Sequence, residues 1–190
     1  MRVMLIDENP ERRATLRTTL DESGYDVVEQ SDSLLNLIDR VASLMPDIII
    51  IDTDSPSRDT LEHLCMVSRD QPRPIVMFTH DDDSEKIRAA LRAGVSSYVV
   101  NGIDSSRIRP ILEVAITRFE EHLALRNELQ KANASLADRK LIERAKGILM
   151  KQRGLSEEEA YQAMRKMAME RSVKMADLAQ QVISVAELLG

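Results

Sequence analysis

Three carboxylates in the first third of the chain follow apolar segments. Asp7 and Glu8 come directly after Arg2–Ile6, and Asp52 comes directly after Ile48–Ile51. Carboxylates held close together repel each other unless a cation joins them, and Mg²⁺ prefers such hard oxygen ligands. A carboxylate beside Mg²⁺ can attack a phosphoryl group and carry it as an aspartyl phosphate. The residue types therefore predict a Mg²⁺ site at Asp7, Glu8 and Asp52.

A hydroxyl ends another apolar segment further along the chain. Thr79 follows Pro74–Phe78, and its side chain could hold a phosphoryl oxygen. The alternative is that acids and hydroxyls at strand ends are ordinary solvated caps, which is the usual explanation for any single one of them. Several of them at the ends of different apolar segments favour a common site.

A second group of residues is cationic. Residues 138–153 hold six Lys and Arg against two Asp and Glu. On a helix, Lys140, Arg144, Gly147 and Lys151 fall along one line beside an apolar stripe. Gly147 costs a helix about 1 kcal/mol relative to Ala, and its missing side chain would let a phosphate approach the backbone. The alternative is a solvated amphipathic helix that binds no polyanion.

Composition sets the outer limits of what the chain can be. Its 190 residues allow one ordinary domain and a small one, and 43% of them are hydrophobic. The net charge of −6 is uneven, because residues 137–190 carry ten basic and eight acidic residues. This asymmetry favours a nucleic-acid partner, and the alternative is ordinary charge scatter. The single cysteine, Cys65, predicts a reducing and therefore cytoplasmic compartment, and we expect neither a membrane span nor a signal peptide.

The first hundred residues alternate between strand and helix patterns, and one of the predicted helices covers Ser33–Leu44. Five such units predict an α/β fold with a doubly wound, five-stranded parallel sheet. The β-branched run at Asp47–Ile51 is typical of a strand buried on both faces. In such a sheet the first and third strands are neighbours, so their carboxyl ends would bring Asp7, Glu8 and Asp52 together.

The remainder of the chain has helical periodicity. One helix is predicted over Ser105–Ala137 and three shorter ones after it, the first from about Asp138 to Gln152. Ser156 and Glu159 form a capping-box pattern at the start of the second of these. A heptad register in the long helix predicts packing on the sheet early on and a coiled-coil homodimer later. Its a and d positions are Ile108, Ile111, Ala115, Arg118, His122, Leu125, Leu129, Ala132 and Leu136.

The acidic set and its surroundings resemble the receiver domain of response regulators over residues 1–118. The resemblance implies a flavodoxin-like fold, with Asp7 and Glu8 as the metal-binding acids and Asp52 as the phosphoacceptor. It also implies switch roles for Thr79 and Tyr98. The chain departs from the family at Asn101, where the family has Lys. Asn can donate a hydrogen bond but supplies no charge, so a phosphoryl group would lose electrostatic support.

Residues from about 126 to 188 resemble the ANTAR domain, a three-helix RNA-binding output of transcription antiterminators. The resemblance rests on Ile142, Ala145, Lys146, Gly147, Met150, Glu159, Ala160, Tyr161, Arg165, Ala168, Met169 and Ala179. It implies that this segment is the RNA-binding part of the chain. The contact candidates are Lys140, Arg144, Lys146, Gly147, Lys151 and Arg165. With no Trp in the chain, these residues would recognise phosphates and hairpin shape rather than stack on bases.

Together the two resemblances predict a receiver at 1–118, a coiled-coil linker helix at 119–137 and an ANTAR domain at 138–190. The combination resembles the NasT type of nitrate/nitrite-assimilation regulators, which implies leader-RNA binding, antitermination and inhibition by a nitrate-sensing protein. Two alternatives stay open: a DNA-binding response regulator and a protein-interaction module. We expect that the protein is not an enzyme, because its sequence has no set of nucleophile, base and orienting group beyond the acidic set.

Overall fold

The computed structural model describes residues 1–100 and 105–189. The chain divides into two compact units, Met1–Leu123 and Ala124–Gly190. Unit 1 contains one parallel sheet with the strand order β2-β1-β3-β4-β5. Its strands are β1 (Arg2–Asp7), β2 (Asp26–Ser31), β3 (Ile48–Thr53), β4 (Ile75–Thr79) and β5 (Ser97–Val100).

Helices alternate with these strands and cover both faces of the sheet. Alternate residues of the central strands supply two separate cores: Met4 and Ile49 belong to one, and Leu5 and Ile50 to the other. Burial on both faces explains the continuous apolar runs of β1 and β3. The predicted flavodoxin-like, doubly wound sheet is confirmed. The helices between the strands are α1 (Pro10–Glu22), α2 (Leu37–Leu44), α3 (Arg58–Asp70) and α4 (Ser84–Arg92).

The pairing register places the ends of three strands at one edge of the sheet. Asp7 in β1 pairs with Asp52 in β3, and Thr53 pairs with Thr79 in β4. Parallel strands bring their carboxyl ends to the same edge, which is where ligands bind in open α/β sheets. The sheet therefore brings the two aspartates and the threonine of the predicted site together.

Two helix boundaries differ from those expected from the sequence. Helix α2 starts at Leu37 instead of Ser33, because Asn36 adopts a left-handed conformation with φ 54°. The helices expected at Ser105–Ala137 and at Asp138–Gln152 are one continuous helix, α5 (Ser105–Arg153). Nothing around position 138 breaks a helix, because neither Gly nor Pro occurs there.

Unit 2 contains the later part of α5 and two further helices, α6 (Glu157–Glu170) and α7 (Met175–Leu189). Gly154 follows α5 with a φ of +66°, and the capping box of Ser156 and Glu159 is present at the start of α6. None of the helices within residues 1–100 and 105–189 combines the length and apolar character needed to cross a bilayer. The small core of unit 2 is aliphatic and includes Ala145, Leu149, Ala160, Met164, Ala168, Leu178, Ala179 and Ile183.

Candidate functional site

The two aspartates at the sheet edge are buried. Asp7 is inaccessible to solvent and Asp52 is 4% exposed, whereas Glu8 is exposed. Of the three residues predicted to hold Mg²⁺, the structure thus pairs Asp7 with Asp52 in register and leaves Glu8 outside the buried pair. Buried carboxylates need a cation or hydrogen-bond donors, so the group that lies between the two aspartates decides the chemistry of the site.

A guanidinium group supplies that cation. Arg12 lies near the start of α1, whose N-cap Asn9 accepts hydrogen bonds from the backbone N–H groups of Glu11 and Arg12. Arg12 donates from Nε to Asp7 Oδ2 and from Nη2 to Asp7 Oδ1, both at 2.9 Å. Its Nε is also 3.2 Å from Asp52 Oδ1. The Arg12–Asp7 interaction is therefore a bidentate ion pair, the strongest arrangement for these two groups.

A third carboxylate completes the group. Arg12 Nη1 donates to Asp54 Oδ1 at 2.9 Å. We call Asp7, Asp52 and Asp54 the acidic cluster. The hydrogen bonds to Asp7 and then to Asp54 raise the pKa of the Arg12 guanidinium above its ordinary value, although partial burial opposes them. Arg12 is therefore a permanent positive charge within this cluster.

Burial also affects the ionisation of Asp52. Desolvation raises the pKa of the Asp52 carboxyl to about 6, while Arg12 opposes the increase and Asp7 adds to it. A carboxyl with this pKa is still mostly ionised at neutral pH, so it can act as a nucleophile there.

The resemblance to receiver domains implies a Mg²⁺ ion beside this aspartate. The acidic cluster does not fit that ion in the arrangement described, because Arg12 occupies both oxygens of Asp7. Asp7 Oδ1 also accepts the Asn9 backbone N–H at 2.8 Å. Within residues 1–100 and 105–189, no three acidic, His or Cys side chains are arranged to hold a metal ion. Mg²⁺ requires near-octahedral oxygen coordination, and both oxygens of Asp7 are already bonded to other groups.

The predicted switch residues are hydrogen-bonded to the loops that follow β3 and β4. Thr79 Oγ1 donates to the Asp54 carbonyl oxygen at 2.9 Å and accepts the Asp81 N–H at 3.1 Å. Tyr98 donates from its hydroxyl to the Asp81 carbonyl oxygen at 3.0 Å. Both side chains thus bind backbone groups beside the acidic cluster. Asn101, the third predicted residue of this switch set, lies outside the described residues.

An ion pair holds the same two loops together. Asp81 Oδ2 accepts hydrogen bonds from Lys86 Nζ and from Ser55 Oγ, both at 2.6 Å. These two donors lower the pKa of the Asp81 carboxyl to about 2, so it is ionised throughout the physiological range. Lys86 Nζ also donates to Ser55 Oγ at 2.8 Å. Lys86 was not predicted from the sequence, although it supplies a cation close to the loop that carries Asp54.

In unit 2 most of the predicted RNA contacts are exposed. We call Lys140, Arg144, Gly147 and Lys151 the cationic line, and all four are exposed on α5. Arg165 is exposed on α6. A side chain built on Gly147 would meet no other atom within 4 Å, so packing within the protein does not require glycine there. Only Arg144 of the line has an acidic partner within the described residues, Glu187 at 2.7 Å.

Lys146 differs from these residues. It is 7% exposed, and its Nζ donates to Glu143 at 2.7 Å and to Glu157 at 2.8 Å. Glu143 is one turn earlier on α5, whereas Glu157 is the first residue of α6. Lys146 therefore joins two helices of unit 2, and its charge is already neutralised by two carboxylates.

Arg12, Asp54 and Glu157 were not identified from the sequence. Each lies close in the chain to a residue that was: Asp54 is two positions after Asp52, and Arg12 is five positions after Asp7. A cation on the first turns of a helix that starts at an acidic strand end is a usable signal for such an ion pair. The Lys146–Glu157 contact spans eleven positions across a turn and has no comparable local signal.

Comparison with known proteins gives a family match for each of the two units. Residues 3–113 match the response regulator receiver domain family, and residues 130–183 match the ANTAR domain family. The receiver of a modulated diguanylate cyclase from Desulfovibrio desulfuricans G20 is 24% identical, with a TM-score of 0.56. That match covers 64% of this chain and 97% of the other, and it supports the fold alone.

Two curated relatives extend the comparison. The transcriptional regulatory protein PdtaR of Mycobacterium tuberculosis is 30% identical over 189 residues, which cover 100% of this chain and 91% of that protein. The nitrate regulatory protein of Klebsiella oxytoca is 36% identical over 80 residues, covering 42% of this chain and 20% of that protein. One relative thus spans both units of this chain, and the two family matches agree with the two resemblances identified from sequence. The chain belongs to the two-component response regulators in which a receiver domain is followed by an ANTAR domain.

Proposed function

We propose that this protein binds RNA hairpins in leader transcripts through unit 2 and thereby promotes transcription antitermination. The observation that carries the proposal is the cationic line, which is exposed within the segment that matches the ANTAR domain. The core of unit 2 uses none of its side chains. An exposed line of cations on one helix has the chemistry to track a phosphate backbone.

The kind of contact follows from the residue types. Unit 2 has one aromatic residue, Tyr161, so a platform for stacking several bases is lacking in its sequence. Phosphate contacts by Lys140, Lys151 and Arg165 would recognise the backbone of a folded hairpin, and Gly147 would let that backbone approach the helix. Such recognition depends on shape and charge more than on base edges.

A homodimer is part of the proposal. Beyond the part of α5 that packs on the sheet, four apolar residues recur at coiled-coil spacing: Leu125, Leu129, Ala132 and Leu136, which we call the apolar stripe. The three leucines are 65%, 61% and 56% exposed. Leucines at this spacing bury their surface against the same stripe of a second chain. The dimer would present two cationic lines to one transcript.

The signal is proposed to be a protein partner rather than a phosphoryl group. Two observations support this. The sequence has Asn101 in place of the receiver lysine, and Arg12 occupies the acidic cluster. A nitrate-sensing protein is the proposed partner, because the Klebsiella relative is a nitrate regulatory protein. We place the protein in the cytoplasm, where transcripts and such a partner would be available.

RNA binding can be tested with the full-length protein. RNA that copurifies with it from its native host would be sequenced, and the recovered hairpin would be titrated at several salt concentrations. We expect Lys140→Ala, Lys151→Ala and Arg165→Ala each to weaken binding and to reduce the salt slope by about 1. Arg58→Ala is the matched control, because Arg58 is an exposed cation of the receiver.

The results separate this function from its alternatives. Unchanged affinity and salt slope in all three variants would reject the RNA-binding assignment. Equal affinity for duplex DNA of the same sequence would favour a DNA-binding regulator. No affinity for either nucleic acid at low salt would leave a protein-interaction module.

The partner proposal needs its own experiment. Proteins that copurify with the chain would be compared between cells grown with and without nitrate. We expect one nitrate-sensing protein to be bound under the condition in which leader RNA is not. Simultaneous recovery of the partner and the RNA under both conditions would contradict inhibition by sequestration.

A further inference from the structure

The acidic cluster has its own cation, and that cation belongs to the chain. Arg12 donates two hydrogen bonds to Asp7 and one to Asp54, and its Nε lies 3.2 Å from Asp52. One guanidinium therefore contacts carboxylates from β1, from β3 and from the loop after β3. Two of these carboxylates, Asp7 and Asp52, are ones that a divalent ion would otherwise have to join.

Both carboxylate oxygens of Asp7 accept hydrogen bonds in this arrangement. Oδ1 accepts from Arg12 Nη2 and from the Asn9 backbone N–H, and Oδ2 accepts from Arg12 Nε. Asp7 is inaccessible to solvent, so water cannot compete for these oxygens. A Mg²⁺ ion bound through Asp7 would have to displace Arg12 and leave its guanidinium without its two hydrogen bonds to that carboxylate.

The geometry of α1 holds Arg12 at this position. Asn9 caps the helix through the N–H groups of Glu11 and Arg12, and Asn9 itself donates to Asp7. The start of α1, which carries Arg12, is thus hydrogen-bonded to Asp7, the same residue that pairs with the guanidinium. A planar, permanently charged fork matches a carboxylate better than a lysine ammonium would.

We propose that Arg12 takes the place of the divalent cation in this receiver, so that a guanidinium group instead of a bound metal joins the carboxylates of the acidic cluster. Arg12 is then a built-in substitute for the ion, present at one per chain and unable to dissociate. Loss of RNA binding would leave this assignment untouched, because none of the residues involved belongs to unit 2.

Metal binding by the purified full-length protein tests the proposal. Mn²⁺, a paramagnetic stand-in for Mg²⁺, would be titrated and the free ion followed by electron paramagnetic resonance. We expect no binding by the native chain up to about 1 mM, a concentration typical of weak sites. Arg12→Ala should bind Mn²⁺ about tenfold or more tightly than the native chain does. Adding Asp52→Asn to Arg12→Ala should abolish the gain.

Arg17→Ala is the matched control, because Arg17 is a more exposed arginine of the same helix that pairs with Asp21. It should leave Mn²⁺ binding as weak as in the native chain. Binding by the native chain that Asp52→Asn removes would overturn the proposal, as would an Arg12→Ala protein that folds but binds no Mn²⁺.

A second measurement keeps the proposal testable if Arg12→Ala does not fold. A ligand that binds only the folded state raises the unfolding temperature, and the increase grows with ligand concentration. Thermal unfolding of the native chain should therefore be unchanged by about 10 mM Mg²⁺ beyond the effect of equal ionic strength. Stabilisation by Mg²⁺ that disappears in Asp52→Asn would overturn the assignment.

Discussion

Lys146 Nζ lies 2.8 Å from Glu157 Oε1, which joins α5 to the first residue of α6. A second carboxylate, Glu143, binds the same ammonium at 2.7 Å. The bonds to Glu143 and then to Glu157 raise the pKa of Lys146, and Lys146 in turn lowers the pKa of Glu157. A residue of the ANTAR-like pattern thus has a structural role that its charge alone does not reveal.

Lys146→Ala is therefore expected to destabilise unit 2. Removing the ammonium leaves two carboxylates near each other and breaks the α5–α6 connection. The thermal midpoint should fall more than in Lys166→Ala, which removes an exposed lysine of α6 whose carboxylate partner is 4.0 Å away. Circular dichroism on both variants checks this. Equal midpoints would assign Lys146 no structural role.

The same pair gives a pH dependence with a defined sign. Because the folded-state pKa of Glu157 is lowered, its contribution to stability is fully present above the ordinary pKa of Glu. It is lost as the pH falls through the lowered value. The difference in midpoint between the native chain and Lys146→Ala should accordingly shrink at acidic pH and stay constant above about pH 5.

Gly147→Ala should move stability and RNA binding in opposite directions. A side chain at this position meets nothing within 4 Å, so alanine should stabilise the helix by about 1 kcal/mol. The same methyl group would obstruct a phosphate that approaches the cationic line, so affinity for leader RNA should fall. Denaturant unfolding and RNA titration measure the two effects. Ser135→Ala, on an exposed part of α5, should raise stability without changing affinity.

Asp52→Asn should stabilise the receiver at neutral pH. Burial raises the pKa of Asp52 to about 6, so the folded state holds a proton that the unfolded chain releases between about pH 4 and pH 6. Stability therefore falls as the pH rises through this window. The amide carries no charge to desolvate and should gain on the order of 1–3 kcal/mol above pH 7, and much less at pH 4. Denaturant unfolding at both pH values measures the difference.

Asp26→Asn is the control for this experiment, because Asp26 is an exposed carboxylate of β2. It should change stability little at either pH. A loss of stability at neutral pH in Asp52→Asn would mean that the ion pair with Arg12 outweighs the cost of burying the Asp52 charge.

Leu129→Lys should weaken the proposed dimer. Leu129 occupies the middle of the apolar stripe, and a charge there would face the same charge of a second chain. Analytical ultracentrifugation should show a dimer dissociation constant raised about tenfold or more. Gln130→Lys adds the same charge one position off the stripe and should have little effect. A monomeric native chain at high concentration would contradict the dimer.

Much of the fold could be predicted from the sequence because its signals are local. The apolar run before Asp52 identifies a strand buried on both faces, and strand order in a doubly wound sheet then makes Asp7 its neighbour. The capping box of Ser156 and Glu159 likewise lies within four consecutive positions. Where consecutive residues carry the information, periodicity and capping rules were sufficient.

The contacts of the site depended on tertiary structure instead. Nothing in the spacing of Asp7, Glu8 and Asp52 distinguishes a metal from a guanidinium as the cation between them. The choice depends on where the helix after β1 starts. The hydrogen bond from the Asn9 backbone N–H to Asp7 fixes that starting point. Lys146 was predicted to lie on a cationic surface, because helical spacing within α5 cannot show that Glu157 of α6 accepts a hydrogen bond from it.

The short connection between α5 and α6 has consequences for how this protein can vary. Ser156 must stand at the N-cap for the capping box, and Glu157 must occupy the first helical position to reach Lys146. Inserting or deleting one residue within α6 before Glu159 would rotate the rest of that helix by about 100°. The capping box and the Lys146–Glu157 ion pair could then not form together. The segment from Gly154 to Glu159 should therefore tolerate substitution at the exposed Glu158 far more readily than any change in length.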